Sequence, residues 1–275
     1  MTRVVCALSG GGAKTAAHLG ALRALAEHGL APRHYVATSM GAVIAAALAA
    51  GVTHQQALDR LATLRRGDLG GLSPHALLGV YGASLFRLEP LRRLIARFVP
   101  ARRFADLEVP LTVTTVDLET GALVLLGAGG HDVPLIEALT AACALPIYFP
   151  PVPLVGRRLA DGGLREVLPL ETATRFAPDV VFAVHVGPSF DERPPERRAR
   201  IPLLVRRHGQ AQRILMAAQT EAALARWRRE EAAELILVLP RVMAETTFAV
   251  ELALPYAEEG YQAARRALAA RRVPQ

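Results

Sequence analysis

The chain has 275 residues, of which 52% are hydrophobic and 21% charged, a composition that excludes a mostly disordered protein. No apolar run reaches the ~20 residues that a membrane-spanning helix needs, and the only cysteines, Cys6 and Cys143, imply no disulfide framework. The first residues lack a secretory-signal pattern, so we expect a cytoplasmic protein. The length of the chain is compatible with one domain, which we expect over residues 1–275.

The charge is strongly basic, with a formal net charge of +7 and Lys14 as the only lysine. An arginine-rich coding bias explains this as well as attraction to an anionic surface does, so peripheral contact with an anionic membrane stays open. The arginines are scattered and no aromatic-interleaved basic patch occurs, so we expect no nucleic-acid binding. The sequence does not indicate an oligomeric state.

Strands and helices alternate over the first fifty residues. Residues 4–8 are an apolar run ended by glycines, which predicts a buried strand. Residues 16–28 have apolar side chains at helical spacing, with Gly29 as the stop. A second strand over 35–37 and a second helix over 40–50 follow. This alternation predicts an α/β fold with a parallel sheet.

The rest of the chain is predicted in less detail. Its elements, in chain order, are helix 54–65, a loose glycine-rich stretch 69–82, helix 90–98, a hairpin of 111–116 and 122–126, strand 180–186, a surface loop 188–200, helix 203–231, strand 235–239 and helix 256–271. In the long helix the apolar spacing predicts an inward face made of Leu204, Ala211, Leu215, Ala218 and Ala222.

The stretch "YVATSMGAV", residues 35–43, places Ser39 between a strand and a helix. Most serines there are helix N-caps. A serine on a sharp strand-to-helix turn can instead be a nucleophile, and such a turn needs small residues two before and two after it, here Ala37 and Gly41. The helix N-terminus would also favour a negative charge beside the serine.

The stretch "SGGGAK", residues 9–14, directly follows the first strand. Three consecutive glycines leave backbone N–H groups unobstructed, so they could stabilise an oxyanion, although a flexible turn is the simpler interpretation. A P-loop is a weak match, because its two glycine places hold Leu8 and Ala13. The dinucleotide pattern also fails, because Thr15 occupies its third glycine place.

The stretch "RRLADGGL", residues 157–164, places Asp161 after a short apolar step and before two glycines. A strand end could present this carboxylate, but a simple D-G turn is common in any protein.

Together these stretches resemble the three signature blocks of patatin-like phospholipases, in the family's order, over roughly residues 4–51 and 135–170. The second region also contains "ALPIYFPP", residues 144–151. The resemblance implies a three-layer α/β/α fold with a mainly parallel central sheet, a lipid ester as substrate, and no cofactor. No set of His, Cys and carboxylate residues has ligand spacing, so we expect no metal.

The resemblance also implies roles for individual residues. Ser39 would be the nucleophile and Asp161 the base that takes its proton. The amides of Gly10, Gly11 and Gly12 would hold the oxyanion, with the Met40 amide as a helper. Lys14 matches the family's basic place, where it would order the loop or favour an anionic substrate.

Three positions depart from the family pattern: Thr15 and Ala37 replace glycines, and Val167 replaces an asparagine. These departures leave open a catalytically silent module that binds lipid or protein. A Ser-His-Asp esterase is a second alternative, with His185 or His208 as the base, although only two strands precede Ser39. A P-loop nucleotide-binding protein is the third.

Overall fold

The computed structural model describes residues 2–64, 84–188, 203–230, 233–243 and 249–271. The β-strands in these ranges are β1 Val4–Leu8, β2 Pro32–Thr38, β3 Leu111–Asp117, β4 Leu123–Gly127, β5 Val152–Leu154, β6 Arg157–Asp161, β7 Val180–Val184 and β8 Glu234–Val238. The α-helices are α1 Ala16–Glu27, α2 Met40–Ala49, α3 His54–Ala62, α4 Leu88–Phe98, α5 Leu135–Ala142, α6 Leu170–Thr174, α7 Leu203–Glu230 and α8 Ala253–Ala269.

The strands form one mixed sheet in the order β5-β6-β3-β2-β1-β7-β8, with β4 paired to β3. The neighbouring strands β3, β2, β1, β7 and β8 are parallel to one another. The strands β4 and β6 pair antiparallel with β3. Parallel strands must be covered on both faces, which is why β1 and β7 are apolar and buried at every position. The predicted α/β class with a mainly parallel sheet is confirmed.

Helices cover both faces of the sheet. Alternate residues of β1 point to opposite sides. Val4, Cys6 and Leu8 join the larger core with α1, α2, α5 and α8. Val5 and Ala7 join a smaller core with α6 and with Trp227 of α7. The result is three layers, α/β/α.

The strand β3 brings two distant segments together along one of its edges. Thr114 pairs with Thr38, the last residue of β2, and the adjacent Thr115 pairs with Asp161, the last residue of β6. Both β2 and β6 lie opposite β4, because Thr114 and Thr115 also pair with β4 on the other edge. The ends of β2 and β6 therefore meet, although more than a hundred residues separate them in the chain.

Most predicted elements are confirmed, with boundary shifts of a few residues, including the hairpin of β3 and β4. The strands β5 and β6 and the helices α5 and α6 were not predicted as separate elements. The stretches 69–82 and 189–200 lie outside the described residues. Within the described residues, no helix has both the length and the apolar character to cross a membrane.

The predicted inward face of α7 is wrong. Ala211, Leu215, Ala218 and Ala222 are exposed, and the side chain of Leu204 is outside the described set. Among the described side chains of this helix, the buried ones are Ala217, Thr220 and Trp227. Alanines occur on both sides of the helix, so apolar spacing cannot choose between them, and the large indole of Trp227 decides which side packs on the sheet.

Candidate active site

Ser39 occupies the turn between β2 and α2 in a backbone conformation that is rare for residues other than glycine, with φ 55° and ψ −136°. Its side chain does not cap the helix. Instead, Ser39 Oγ donates a hydrogen bond of 2.6 Å to Asp161 Oδ2. The N-cap interpretation of Ser39 therefore does not describe what its hydroxyl does.

Close backbone packing holds this turn in place. A Cβ atom on Gly41 would lie 2.5 Å from the carbonyl oxygen of Ser9, so only glycine fits there. A Cβ atom on Gly10 would lie 3.1 Å from the Ser39 Cβ, which shows how closely the glycine loop approaches the serine. Ala37 is an ordinary buried strand residue that pairs with Leu8 and Val113. The alanine at this position is therefore compatible with the turn.

Asp161 ends β6 with only 4% of its surface exposed. Its Oδ1 accepts a hydrogen bond from the Gly163 amide at 2.8 Å, while its Oδ2 accepts from Ser39. Burial raises the pKa of Asp161 from 3.8 to about 6, against the lowering effect of these two hydrogen bonds. The carboxylate is oriented by fixed donors and is more basic than an exposed aspartate.

Backbone hydrogen bonds anchor the Asp161 loop to its neighbours. Thr38 Oγ1 donates to the carbonyl of Glu166 at 2.8 Å, and the Gly10 amide donates to the carbonyl of Val167 at 3.1 Å. The latter contact uses the backbone of Val167, so the missing asparagine side chain does not leave the loop unanchored. Thr15, another departure, donates from its hydroxyl to the Gly12 carbonyl at 2.7 Å, within the turn that leads into α1.

The glycine loop differs from the prediction at Gly10. The Gly10 amide is occupied by the Val167 carbonyl, and Gly10 itself is buried. Gly11 and Gly12 are half-buried, and no backbone carbonyl among the described residues accepts from their amides. The Met40 amide belongs to the first turn of α2, where N–H groups have no partner within the helix.

Buried polar side chains support the loop from behind. The Ser9 hydroxyl accepts from the Val186 amide at 2.8 Å, and His18 Nε2 lies 2.9 Å from the Ser9 carbonyl oxygen. Lys14 is only 4% exposed. Burial lowers the pKa of His185 to about 4, and the charge of Lys14 is a smaller cause of the same lowering. This position of Lys14 fits loop ordering better than direct contact with an anionic substrate.

Neither candidate histidine of a Ser-His-Asp arrangement is hydrogen-bonded to Ser39 among the described residues. His185 bonds to the backbone of Pro188, and its Nδ1 has no hydrogen-bond partner among the described residues. His208 lies on α7, and no hydrogen bond joins it to Ser39 among the described residues. The group that accepts the hydrogen bond of the Ser39 hydroxyl in this structure is therefore a carboxylate and not an imidazole.

Cys143, which follows the last residue of α5, lies near the serine and was not predicted as a site residue. Its buried thiol donates a hydrogen bond to the sulfur of Met40 at 3.7 Å, and Ser39 influences the pKa of the thiol. Burial, and then the Asp161 charge, raise the pKa of this thiol well above its usual range. In the sequence Cys143 has apolar neighbours, and nothing there indicates that it lies near Ser39. Among the described residues, no group of three or more His, Cys, Asp or Glu side chains could hold a metal ion.

The fold and the site together define a class: a three-layer α/β protein with a serine on a strand-to-helix turn, hydrogen-bonded to a buried aspartate. The family model "Patatin-like phospholipase" matches residues 6–174. This match covers more than half of the chain, which therefore belongs to the patatin-like phospholipase family.

Several curated proteins share this domain. A Mycobacterium tuberculosis protein described as an uncharacterized NTE family protein is 32% identical over 197 residues, which are 70% of this chain and 52% of that protein. Patatin-like phospholipase domain-containing protein 7 of Mus musculus is 30% identical over 67% of this chain and 14% of its own length. This chain thus spans about half of the mycobacterial relative and a small part of the mouse protein.

Among solved structures, VipD from Legionella pneumophila aligns over 98% of this chain and 67% of its own, with 14% identity and a TM-score of 0.48. This similarity is too distant to bear on function.

Proposed function

We propose that the protein is a serine acyl hydrolase that cleaves ester bonds of lipids through a Ser39–Asp161 dyad. The observation that carries the proposal is the hydrogen bond of 2.6 Å between Ser39 Oγ and Asp161 Oδ2, at the N-terminus of α2. The hydroxyl and its acceptor are already in contact, which is the geometry that activates a serine. Membership of the patatin-like phospholipase family supports a lipid substrate.

The reaction follows from these two side chains. Ser39 Oγ attacks the ester carbonyl carbon while its proton passes to the Asp161 carboxylate, and the carbonyl electron pair moves onto oxygen. The tetrahedral intermediate collapses, and the leaving alcohol takes the proton from Asp161. Water then attacks the acyl-enzyme and gives a proton to Asp161. Release of the fatty acid returns that proton to Ser39 Oγ.

The raised pKa of Asp161 supports its role as the base. A carboxylate with an ordinary pKa near 3.8 accepts a serine proton poorly. Burial brings the pKa to about 6, which makes the proton transfer less unfavourable while the group stays ionised at neutral pH.

The amides of Gly11 and Gly12 are the proposed donors to the oxyanion, with the Met40 amide as a third. Donors on a rigid backbone need no reorganisation when the negative charge forms. Gly10, whose amide is used by Val167, is proposed to hold the loop against the Ser39 turn. Lys14 is proposed to order the same loop from its buried position.

Two variants test the dyad. We expect Ser39→Ala and Asp161→Asn each to lower ester hydrolysis at least about a thousandfold, because residues that act as a unit fail together. Ser39→Ala should also abolish labelling by a serine-reactive fluorophosphonate. Ser84→Ala and Asp179→Asn are the matched controls, since Ser84 contacts the Phe86 carbonyl and Asp179 contacts the Arg3 amide.

The same assay separates the alternatives. Wild-type turnover in either variant would refute the dyad. If His185→Gln or His208→Gln abolished the reaction in a folded protein, a histidine would be the base instead. A folded wild type that neither labels nor hydrolyses esters would be the silent module.

A further inference from the structure

The two halves of α7 differ in how they are covered. In the described structure no side chain from residue 206 to residue 215 is buried, whereas Ala217, Thr220 and Trp227 of the second half are. Trp227 packs in the core between α7 and the sheet. Among the described side chains, the first half of the helix is therefore much less covered than the second half.

The first half of α7 extends past the sheet beside the candidate active site. The helix connects the parallel strands β7 and β8, so it begins at the carboxyl edge of the sheet, where Ser39 follows β2. Met216 lies at the level of the Asp161 turn, since its Cε would be 3.6 Å from a Cβ on Gly163. At 1.5 Å per residue, the helix before Met216 continues for roughly 20 Å.

Apolar and basic side chains reach the surface of this half, where Arg207 is exposed and Arg206 and Arg213 are half-buried. Ile214 is 59% exposed and Leu215 is 65% exposed. Arg206, Arg207 and Arg213 are the charged residues between positions 203 and 220, which contain no aspartate or glutamate. Apolar side chains beside arginines, without acidic residues, are typical of helices that lie on anionic lipid surfaces.

We propose that residues 206–215 of α7 dock on an anionic phospholipid surface. Ile214 and Leu215 insert between the lipids, and Arg206 and Arg207 contact lipid phosphates, so that Ser39 lies close to the membrane. The benefit of this position rests on the proposed function, because a lipid hydrolase must reach an ester that is held in a bilayer. The charge of the surface and its place beside the site favour a membrane over a protein partner.

Vesicle flotation with the inactive Ser39→Ala protein tests the docking without hydrolysis. We compare vesicles of phosphatidylcholine with vesicles that also contain phosphatidylglycerol. Binding should require the anionic lipid and should weaken at high salt, because screening reduces the attraction between arginines and phosphates. Equal binding to both kinds of vesicle would overturn the proposal.

Variants locate the surface. Ile214→Ser with Leu215→Ser should lower binding about tenfold or more, because less apolar area enters the lipid. Leu254→Ser is the control for Leu215→Ser, because it removes a leucine of similar exposure from α8, on the opposite face of the sheet, and should leave vesicle binding unchanged. If the serine double variant does not fold, Arg206→Gln with Arg207→Gln gives the second test. Undiminished binding in folded variants would overturn the proposal.

The outcomes for the surface and for the reaction are distinct. If Ser39→Ala binds anionic vesicles but the wild type cleaves no ester, the surface stands and the proposed function fails. If the wild type cleaves a water-soluble ester but no protein binds vesicles, the surface is refuted alone. Self-association that is lost on Ile214→Ser with Leu215→Ser, without vesicle binding, would assign the patch to a second copy of the chain.

Discussion

The two turns that meet at the candidate site, one at Ser39 and one at Asp161, are costly to the folded state for different reasons. Ser39 has a backbone conformation that residues with a Cβ rarely adopt, yet its side chain is only half-buried. Asp161 has an ordinary backbone, with φ −53° and ψ 126°, yet its carboxylate is almost completely buried. One turn stores backbone strain and the other stores an electrostatic cost.

The difference means that the two turns should respond to different changes. Backbone strain does not depend on pH, and it persists because neighbouring backbone packs tightly around it. The cost of a buried carboxylate disappears when the group is protonated. Substitutions near Ser39 should therefore act at every pH, whereas the effects of Asp161 should vary with pH.

Among the substitutions that leave Ser39 and Asp161 in place, Gly41→Ala should have the largest effect, because it disturbs the packing around Ser39. The new Cβ would collide with the backbone carbonyl of Ser9, so α2 must shift and the Ser39 hydroxyl must move away from Asp161. We expect ester hydrolysis to fall about a hundredfold or more, and the free energy of unfolding to fall by about 1–3 kcal/mol.

Gly209→Ala is the control for this prediction. A Cβ on Gly209, which lies in α7, would meet nothing within 4 Å, so the substitution should raise stability by up to ~1 kcal/mol. If Gly41→Ala kept wild-type hydrolysis and stability, the packing account of the Ser39 turn would be wrong. Kinetics on a soluble ester and urea unfolding measure both quantities.

The second prediction concerns the stability of Asp161→Asn. Because the folded-state pKa of about 6 is above the usual 3.8, Asp161 favours folding most at low pH, and that contribution is lost as pH rises through 6. Asparagine does not titrate. Relative to wild type, Asp161→Asn should therefore gain about 3 kcal/mol between pH 3 and pH 7.

Asp117 gives the opposite sign and serves as the control. The Glu119 amide, with further donors from Thr120 and Arg157, lowers the pKa of this carboxylate. The folded state favours its ionised form, so Asp117→Asn should lose stability relative to wild type as pH rises toward 4 and should change little above that pH. Urea unfolding from pH 3 to pH 7 measures both variants, and equal pH trends for the two would contradict this account.

The third prediction is the pH dependence of hydrolysis. Asp161 accepts a proton only when ionised, so kcat/KM for a soluble ester should fall about tenfold per pH unit below pH 6. Circular dichroism at each pH checks that the protein stays folded. A rate that does not change between pH 4 and pH 7 would exclude a base with the pKa of Asp161.

Local pattern predicted much of this molecule, because the relevant signals are local. The run in β1, the glycine loop and the Ser39 turn are each contained in fewer than ten residues. The meeting of Ser39 with Asp161 was implied only by the resemblance. In the structure, Ser39 and Asp161 meet because Thr114 and Thr115 of β3 pair with different strands, β2 and β6. No local sequence pattern encodes that pairing.

Other features depend on contacts between distant residues and could not be predicted. The bond between the Gly10 amide and the Val167 carbonyl changes which glycine amides remain available, and it requires the two loops to be placed in space. The thiol of Cys143 lies near Ser39 and bonds to the adjacent Met40 from the end of α5, an element that was not predicted. In α7, alanines on both sides concealed which face is buried.

The smallest expected effect measures the strain at Ser39 directly, by comparing Ser39→Gly with Ser39→Ala. Both variants lose the hydroxyl and its bond to Asp161, so their difference reports mainly the backbone. Glycine adopts a φ of 55° without steric cost but gains entropy in the unfolded state. We expect the relief of backbone strain to exceed this gain in entropy, so Ser39→Gly should be more stable than Ser39→Ala by about 1 kcal/mol.

Ala218→Gly, at an exposed position within α7, is the control and should instead lower the free energy of unfolding by up to about 1 kcal/mol. A loss of the same size at both positions would mean that the Ser39 turn stores no strain, and the contrast with Asp161 would disappear.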